Sequence, residues 1–520
     1  MVAENPLLSN WSLRKFKATV INDIWPEVLF FSAVAAMVSL VSDLTRHKLV
    51  LSSAMLTVLG TVLGLVISFR TSSAYERYME GRKLWTSIAL HSRNIAQIIW
   101  IHVPFERIDK RTGRQKSVLE LTIEKKSMIN LVQAYSVSVK HLLRCEPGVY
   151  YEDLYPLVCF LPRYSTHVHE NATEEDMLPM WKASAMDAKK HHTAHTFTSS
   201  RPLSPSGSNN ERDPELEKNL SELSEDQIYH SLRGRSKAAQ KKARKFDPEM
   251  ALPVVYSEHP LQPARNPPKE SIFDYLPFLR VFKLLVAPFR RTKKQPEPEL
   301  PTSATTRSFT GKRLKPEMVD SNVPLEITLF LSNYLAWLLK NGQLQPAAAS
   351  AFIGAISALQ DTVTNLDRIR NTPLPFAYQA HLRISLWLYL FFLPFQVWSS
   401  FGYLTIPGTA FASFLLLGFL EIGQEIENPF NYDLNDLDLD TFCLSVQREL
   451  HEITAHSCPE PDHFIFTAWN QPFAPGDRRT AEEMMNDVNH SYHGPETGMH
   501  SIRRTLLRSW WDVDQITRKD

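Results

Sequence analysis

Thr61, Leu65 and Phe69 stand four residues apart inside an apolar run. On a helix that spacing sets their side chains in one row along one face. The row contains no nucleophile, base or metal ligand, so the chemistry open to it is that of a wall. Several copies arranged around an axis would enclose a narrow apolar throat, which an ion passes only by giving up part of its hydration. Gly60 and Gly64 form a small-xxx-small pair on the adjacent face, where neighbouring helix backbones approach closely. The same spacing also serves ordinary helix packing, and periodicity alone leaves both readings open. Arg70 and Arg77 follow the row as selectivity charges or, in the plainer reading, as anchors at a membrane boundary paired with Glu76 and Glu80. No GxSxG, HExxH, phosphate-binding loop or paired Cys/His zinc pattern occurs in the chain, which argues against an enzyme.

The row lies within Leu49 to Phe69, 21 consecutive uncharged residues, the length one helix needs to cross about 30 Å of hydrocarbon. Three further blocks read as spans: Ile24 to Val41 with Trp25 as interfacial anchor, Ile384 to Phe401 with a kink expected at Pro394, and the short Thr409 to Ile422. Basic residues precede the first span and follow the second, and none separates the third from the fourth. By that bias both termini and the large middle region are cytoplasmic. Lys83 to Trp100, Ser117 to Leu143, Val323 to Leu339 and Pro346 to Ile369 carry apolar residues at three- and four-residue spacing and read as amphipathic helices, with a break at Asn341-Gly342.

Whole-chain averages conceal this division. The 520 residues are 22% charged with net charge +1 and mean hydropathy −0.23, so a membrane part coexists with a large aqueous part and nothing points to nucleic acid. The four cysteines, 145, 159, 443 and 458, fit neither a metal pattern nor a disulfide scaffold and read as free thiols. Residues 173–271 and 293–314 are rich in Ser, Pro, Lys and Glu and are expected to be disordered; His191, His192 and His195 fall in the first as part of a polar tract. Ile272 to Phe289, flanked by basic residues, reads as an interfacial helix or as a helix docked on the cytoplasmic region. The organisation is then 11–100 for the first two spans and the start of the cytoplasmic helices, 101–172 for cytoplasmic helices and 173–314 for a mostly disordered insertion. Residues 315–454 carry further cytoplasmic helices, the last two spans and an acidic segment, and 455–520 form a cytoplasmic C-terminal region.

Three motifs in order resemble the bestrophin family, most closely its bacterial, plant and fungal branch. The first is SFRTSSAYERYMEGRKLW, with Phe69, Arg70, Tyr75, Arg77, Gly81, Arg82 and Trp85. The second is RNTPLPFAY, with Pro373 and Pro375, and the third is IENPFNYDLNDLDLD from Ile426 to Asp440, with Asn428, Pro429 and Phe430. The resemblance implies an all-α membrane protein, a pentamer with four transmembrane helices per subunit and cytoplasmic helices extending the pore, carrying the long disordered insertion. It implies passive conduction of chloride or another small anion across a plasma membrane or endomembrane. It sets the neck positions on Thr61, Leu65 and Phe69, the row already singled out, with Thr61 departing from a pattern of bulky apolar residues. It also implies a second narrow point in the cytoplasmic part, for which Ile356 is the candidate. Asn428, Asp433 and Asp436 fall on positions resembling calcium ligands of animal members. The interleaved leucines, with Asp438 where an EF-hand needs Gly and Leu444 where it needs Glu, favour instead a structural acidic turn capping a helix and no cofactor. The alternatives are a membrane-anchored scaffold, or a secondary transporter, which the lack of an internal repeat disfavours.

Overall fold

A computed structural model describes residues 19–45, 54–108, 113–165, 176–182, 255, 257, 259–267, 322–486, 492 and 498–518. Ser32 and Ser39 are accommodated in its first helix, α1 (Ile21–Leu44), because their hydroxyls donate to the carbonyls of Val28 and Ala35 one turn back, each at 2.7 Å, which satisfies them in an apolar setting. The second helix, α2 (Ala54–Gln97), is 44 residues long, about 66 Å at 1.5 Å per residue. It joins the second expected span to the amphipathic stretch at 83–100 without a stop. Nothing in the intervening polar string breaks a helix: Gly81 is its one glycine, and it is held by packing. The helix ends in a π-turn, Ile98–His102.

Ser117 opens α3 (Val118–Leu143) with a reciprocal capping box to Glu120, a device that satisfies two otherwise orphaned donors. A short turn, α4 (Tyr155–Val158), follows. Past the undescribed residues come α5 (Val323–Lys340) and α6 (Pro346–Asn371), separated by Gly342 at φ +67°, a backbone state that glycine adopts without a side-chain clash. Pro373 and Pro375 occupy the four-residue break before α7 (Phe376–Phe401), as expected for residues that stop a helix and then restart one. A 3-10 turn at Gly402–Leu404, with Gly402 at φ +51°, leads into α8 (Thr405–Glu425), which is longer at both ends than the expected 409–422. Pro394 lies within α7, which continues as a helix on either side of it. Among the described residues there are isolated bridges but no strand.

Among the described residues three stretches, Asp23–Leu44, Thr57–His102 and Phe376–Glu425, are long and apolar enough to cross a membrane, the last containing both α7 and α8. The helices α1, α2, α7 and α8 pack on one another around Ile24, Phe31, Leu63, Ile67, Leu386, Leu390, Leu417 and Leu420. Polar pairs mark the two ends of this bundle and show that α1 and α7 run parallel to each other and antiparallel to α8. At one end Arg383 of α7 lies 2.9 Å from Glu27 of α1 and 3.8 Å from Glu421 of α8. At the other, Tyr403 Oη donates to Asp43 at 2.5 Å. Gly60 gives α7 close access, since a Cβ there would sit 2.8 Å from Tyr389 Oη; at Gly64 a Cβ would meet nothing within 4 Å.

Beyond the bundle, α3 and α6 pack against α2, and α5 packs on α3 and α6. Two pieces of the stretch expected to be disordered are packed there. Met180 and Trp181 are buried, with the Trp181 indole donating to Pro162 O at 3.2 Å, and residues 259–267 lie on the loop after α3. Composition averaged over 99 positions hides a few large apolar side chains that find a surface. The remainder of that expectation, the interfacial helix at 272–289, His191, His192 and His195, and the insertion 293–314 lie outside the described residues. All four cysteines are free thiols.

Helix α9 (Leu439–Ala455) follows the acidic segment. From residue 451 the chain forms a second compact unit with short helices α10 (Asp462–Ile465) and α11 (Ala481–Met485) and the amphipathic α12 (Gly498–Thr517). Within it Asp477 holds Arg479 at 2.6 Å and accepts from Tyr492 at 2.5 Å.

Candidate functional site

On α2 the row separates sharply from the packed face. Leu63 and Ile67 are 4% and 3% exposed in the bundle core, whereas Leu65 and Phe69 are 58% and 65% exposed, and Thr61 is exposed with them. Bulky apolar side chains left uncovered by their own subunit mark a surface meant for another copy, lipid or a lumen. The Thr61 hydroxyl donates to Thr57 O at 2.9 Å. Its proton is spent inside the helix, and only oxygen lone pairs face outward.

One residue beyond Phe69 the helix face changes character. Arg70 is 3% exposed, with Nη1 donating to Leu420 O at 3.4 Å and Nη2 lying 3.8 Å from the Glu427 carboxylate. Two turns on, Arg77 donates to three backbone carbonyls, Glu427 O at 3.2 Å, Thr372 O and Ile369 O. The last two belong to the C-terminal end of α6, where carbonyls without helical partners attract a cation. Glu427 is therefore the hub. Its carboxylate also accepts from Leu374 N at 2.6 Å and from Gln379 Nε2 at 3.1 and 3.2 Å. Neither arginine is aimed at an open face, and neither uses the partners expected from sequence: Glu80 instead pairs with Arg368 at 2.8 Å.

The remaining motif residues build the same joint. Gly81 faces Phe430, which is fully buried; a Cβ at Gly81 would come within 3.1 Å of the Phe430 ring. Trp85 is buried against Phe442, ring centroids 5.9 Å apart, and Arg82 lies 4.4 Å over the same phenyl ring, a favourable cation–π placement. Tyr75 is exposed and lines a largely apolar cavity of about 650 Å³ with Tyr78, Phe414 and Phe419. Pro429 O accepts from Leu437 N at 2.9 Å, closing the loop 429–437, and Asn428 Nδ2 donates to Asn431 at 3.3 Å.

Ile356 is placed differently from the expectation. It is 5% exposed, packed inside the subunit, and the open face of α6 carries Ile353, at 55% exposure, instead. The 3.6-residue period of α6 admits both faces, and only the partner helices decide which is inside. A residue buried within one subunit lines no passage.

The acidic segment is a bonded turn. Asp436 Oδ2 accepts from Asp433 N at 2.9 Å, Asp436 N donates to Asp433 O at 3.1 Å, and Asn435 donates to Glu425 at 2.9 Å. Asp438 receives Thr441 N at 3.1 Å and the Thr441 hydroxyl at 2.6 Å, capping α9. Among the described residues no three His, Cys, Asp or Glu side chains gather as metal ligands. Burial, with Asp433 and Glu425 adding repulsion, pushes the Asp436 carboxyl up to about 7.

A family model described as Bacterial/Fungal Bestrophin protein matches residues 2–228 and 277–452, leaving 229–276 unmatched. Among curated relatives, a Synechocystis protein named as a voltage-dependent anion channel-forming protein is 36% identical over 133 residues, which is 26% of this chain and 43% of that protein. A Nostoc protein of the same description is 23% identical over 445 residues, covering 85% of this chain and 91% of the relative. The crystal structure of a bacterial bestrophin homolog from Klebsiella pneumoniae superimposes with a TM-score of 0.42 at 15% identity, covering 82% of this chain and 97% of that one.

Two outcomes test the joint. Glu427→Ala strands the buried Arg70 guanidinium and the Leu374 N–H, and breaking a buried pair from one side costs about 3–5 kcal/mol; the melting temperature of the purified protein falls clearly, less so for Glu427→Gln, and a melting curve unchanged by Glu427→Ala contradicts the hub. For Asp436, a carboxyl whose folded pKa is raised to about 7 loses stabilisation as pH rises from near 4 through 7. Asp436→Asn, which keeps an acceptor for Asp433 N, therefore gains thermal stability over the parent at pH 8 and not at pH 4; the opposite ordering contradicts the assignment.

Proposed function

Because the chain belongs to the bestrophin family of bacterial and fungal proteins, we propose that it is an anion channel, conducting chloride or another small anion passively. The observation that carries the reading is the exposed, uncharged row Thr61, Leu65 and Phe69 on α2, backed by a packed bundle and followed by Arg70, which is buried, and Arg77, which is bonded to three backbone carbonyls. In this reading five copies surround an axis, the rows form the neck, and the distal half of α2 with α6 continues the pathway into the cytoplasm. The four bundle helices are the spans, both termini lie on the cytoplasmic side, and the residence is a plasma membrane or endomembrane.

The neck works by cost. With no cation aimed into it, an ion entering sheds water without a compensating salt bridge, so throughput follows the width and wetness of the throat. Phe69 rings with their electropositive edges inward favour anions over cations. The Thr61 oxygen lone pairs make that end wetter but are acceptors, so they help water more than an anion. Arg70 and Arg77 serve as ties between α2 and the cytoplasmic helices. Asp433 and Asp436 serve the turn, so calcium is not needed for conduction.

The test is chloride flux from liposomes containing the purified protein. Flux is expected for the parent and is retained on calcium chelation; Leu65→Ala and Phe69→Ala change conductance or gating several-fold, whereas Arg70→Gln leaves the chloride-to-cation preference in place. Absence of flux across pH, calcium and voltage overturns the reading, and loss of selectivity in Arg70→Gln moves the filter away from the row.

A further inference from the structure

Residues 259–267 fall in the stretch that the family match leaves out, yet they are bonded to the parts of the fold that hold the neck helix. Gln262 makes a two-way backbone bridge to the loop after α3: its N–H donates to Tyr150 O at 2.8 Å, and its carbonyl accepts from Glu152 N at 2.9 Å. His259 lies edge-on to the Tyr150 ring with centroids 4.8 Å apart. Ala264 O accepts from Lys140 Nζ at 3.1 Å. Asn266 N donates to Tyr432 Oη at 2.9 Å, and the Arg265 guanidinium lies 5.8 Å from the Tyr432 ring.

What these contacts reach is a closed polar network. Lys140, 2% exposed, is bonded to Asp153 and to Asp440 at 3.0 Å. Arg144 forks onto both Asp440 oxygens at 3.2 and 3.1 Å and covers the Tyr432 ring at 4.1 Å. His141 sits between Glu146 at 2.6 Å and Asp153 at 3.0 Å, and the Tyr432 phenol donates to Glu146. A buried cation such as Lys140 is costly unless its hydrogen bonds are complete, and the Ala264 carbonyl supplies one of them. Residues 259–267 are thus fixed by the network and in turn complete it.

Tyr432 connects this network to the neck. It belongs to the loop that begins with Glu427, the hub for Arg70 and Arg77, and includes Phe430, seated on Gly81 of α2. Any tilt or rotation of α2 that widens the row must drag this loop, and the loop is held from behind through Tyr432.

We infer that residues 259–267 are a restraining strap: by bonding Tyr432 and Lys140 they hold the loop 426–438, and with it the base of α2, in the arrangement seen here, and freeing them raises ion flux. The inference rests on the conduction reading for its flux component; the hold on the loop stands apart from it. Such a strap gives the long insertion that contains it a mechanical route to the neck, so that a partner or modification pulling on the insertion is read as a change in conductance.

The experiment uses full-length protein with Gln262→Pro, which removes the donor to Tyr150, and a second variant with 259–267 replaced by a Gly/Ser linker of equal length. Hydrogen–deuterium exchange reads the loop 426–438 and residues 70–85 directly, and liposome chloride flux reads the consequence. Exchange in 426–438 is expected to rise about fivefold or more in both variants, as for a segment losing part of its protection, and flux to rise about threefold. Unchanged exchange in 426–438 overturns the strap whatever the flux does. Faster exchange with unchanged or reduced flux overturns its restraining role. If the parent itself carries no flux, the conduction reading fails, and the exchange result still decides whether the strap holds the loop.

Discussion

A guanidinium buried at the end of an apolar span has to be met by acceptors, because an uncompensated charge there would cost more than the fold has to spare. Arg70 sets that requirement directly after Phe69. It is met in part by Leu420 O, 350 residues away, and by the Glu427 carboxylate at 3.8 Å, while Nε and Nη2 have no hydrogen-bond partner among the described residues; Glu427 simultaneously fixes Arg77, the start of the α7 leader at Leu374, and Gln379. The consequence is a single joint tying α2 to α6, α7 and α8. The loop after α8 owes its shape to this joint: Phe430 fills the space that Gly81 leaves, the Asp433–Asp436 turn folds the acidic residues onto backbone donors, and Asp438 starts α9.

Once the charges are committed to the joint, the opposite face of α2 is left with no polar task. Leu65 and Phe69 remain uncovered while Leu63 and Ile67, two residues away, are buried. This asymmetry within one helix is what a pore-lining element requires: one face rigidly packed so that the other presents a fixed, featureless surface. In the proposed channel, selectivity would reside in dehydration and in ring edges, and control in how firmly the joint holds α2. The packed strap at 259–267 belongs to the second function.

Much of this was legible in sequence because it is local. The four-residue spacing of Thr61, Leu65 and Phe69, the stops at Pro373 and Pro375, the break at Asn341-Gly342 and the Ser117 start of α3 each depend on residues within a turn or two of one another. What sequence misplaced depends on partners distant in the chain. Arg70 and Arg77 have Glu76 and Glu80 as neighbours in sequence, yet their acceptors come from α6, α8 and Glu427. Ile356 and Ile353 share a helix, and only the packing of that helix shows that the first is inside. The continuous α2 was divided in two because a change from apolar to charged composition looks like a boundary, although nothing in it breaks a helix. Met180, Trp181 and Gln262 lie in a stretch whose average composition is that of a disordered chain, and their order comes from surfaces offered by α5, α4 and the loop after α3.

The most direct measurement of the central claim is cysteine accessibility along α2 in a background with Cys145, Cys159, Cys443 and Cys458 replaced. Single cysteines at 61, 65 and 69, and at 63 and 67, would be treated with a membrane-impermeant, negatively charged thiol reagent while chloride flux is recorded. Block is expected at 61, 65 and 69 and none at 63 and 67. Block at 63 and 67, or none at 65 and 69, would mean that the exposed row faces something other than the path of the ion.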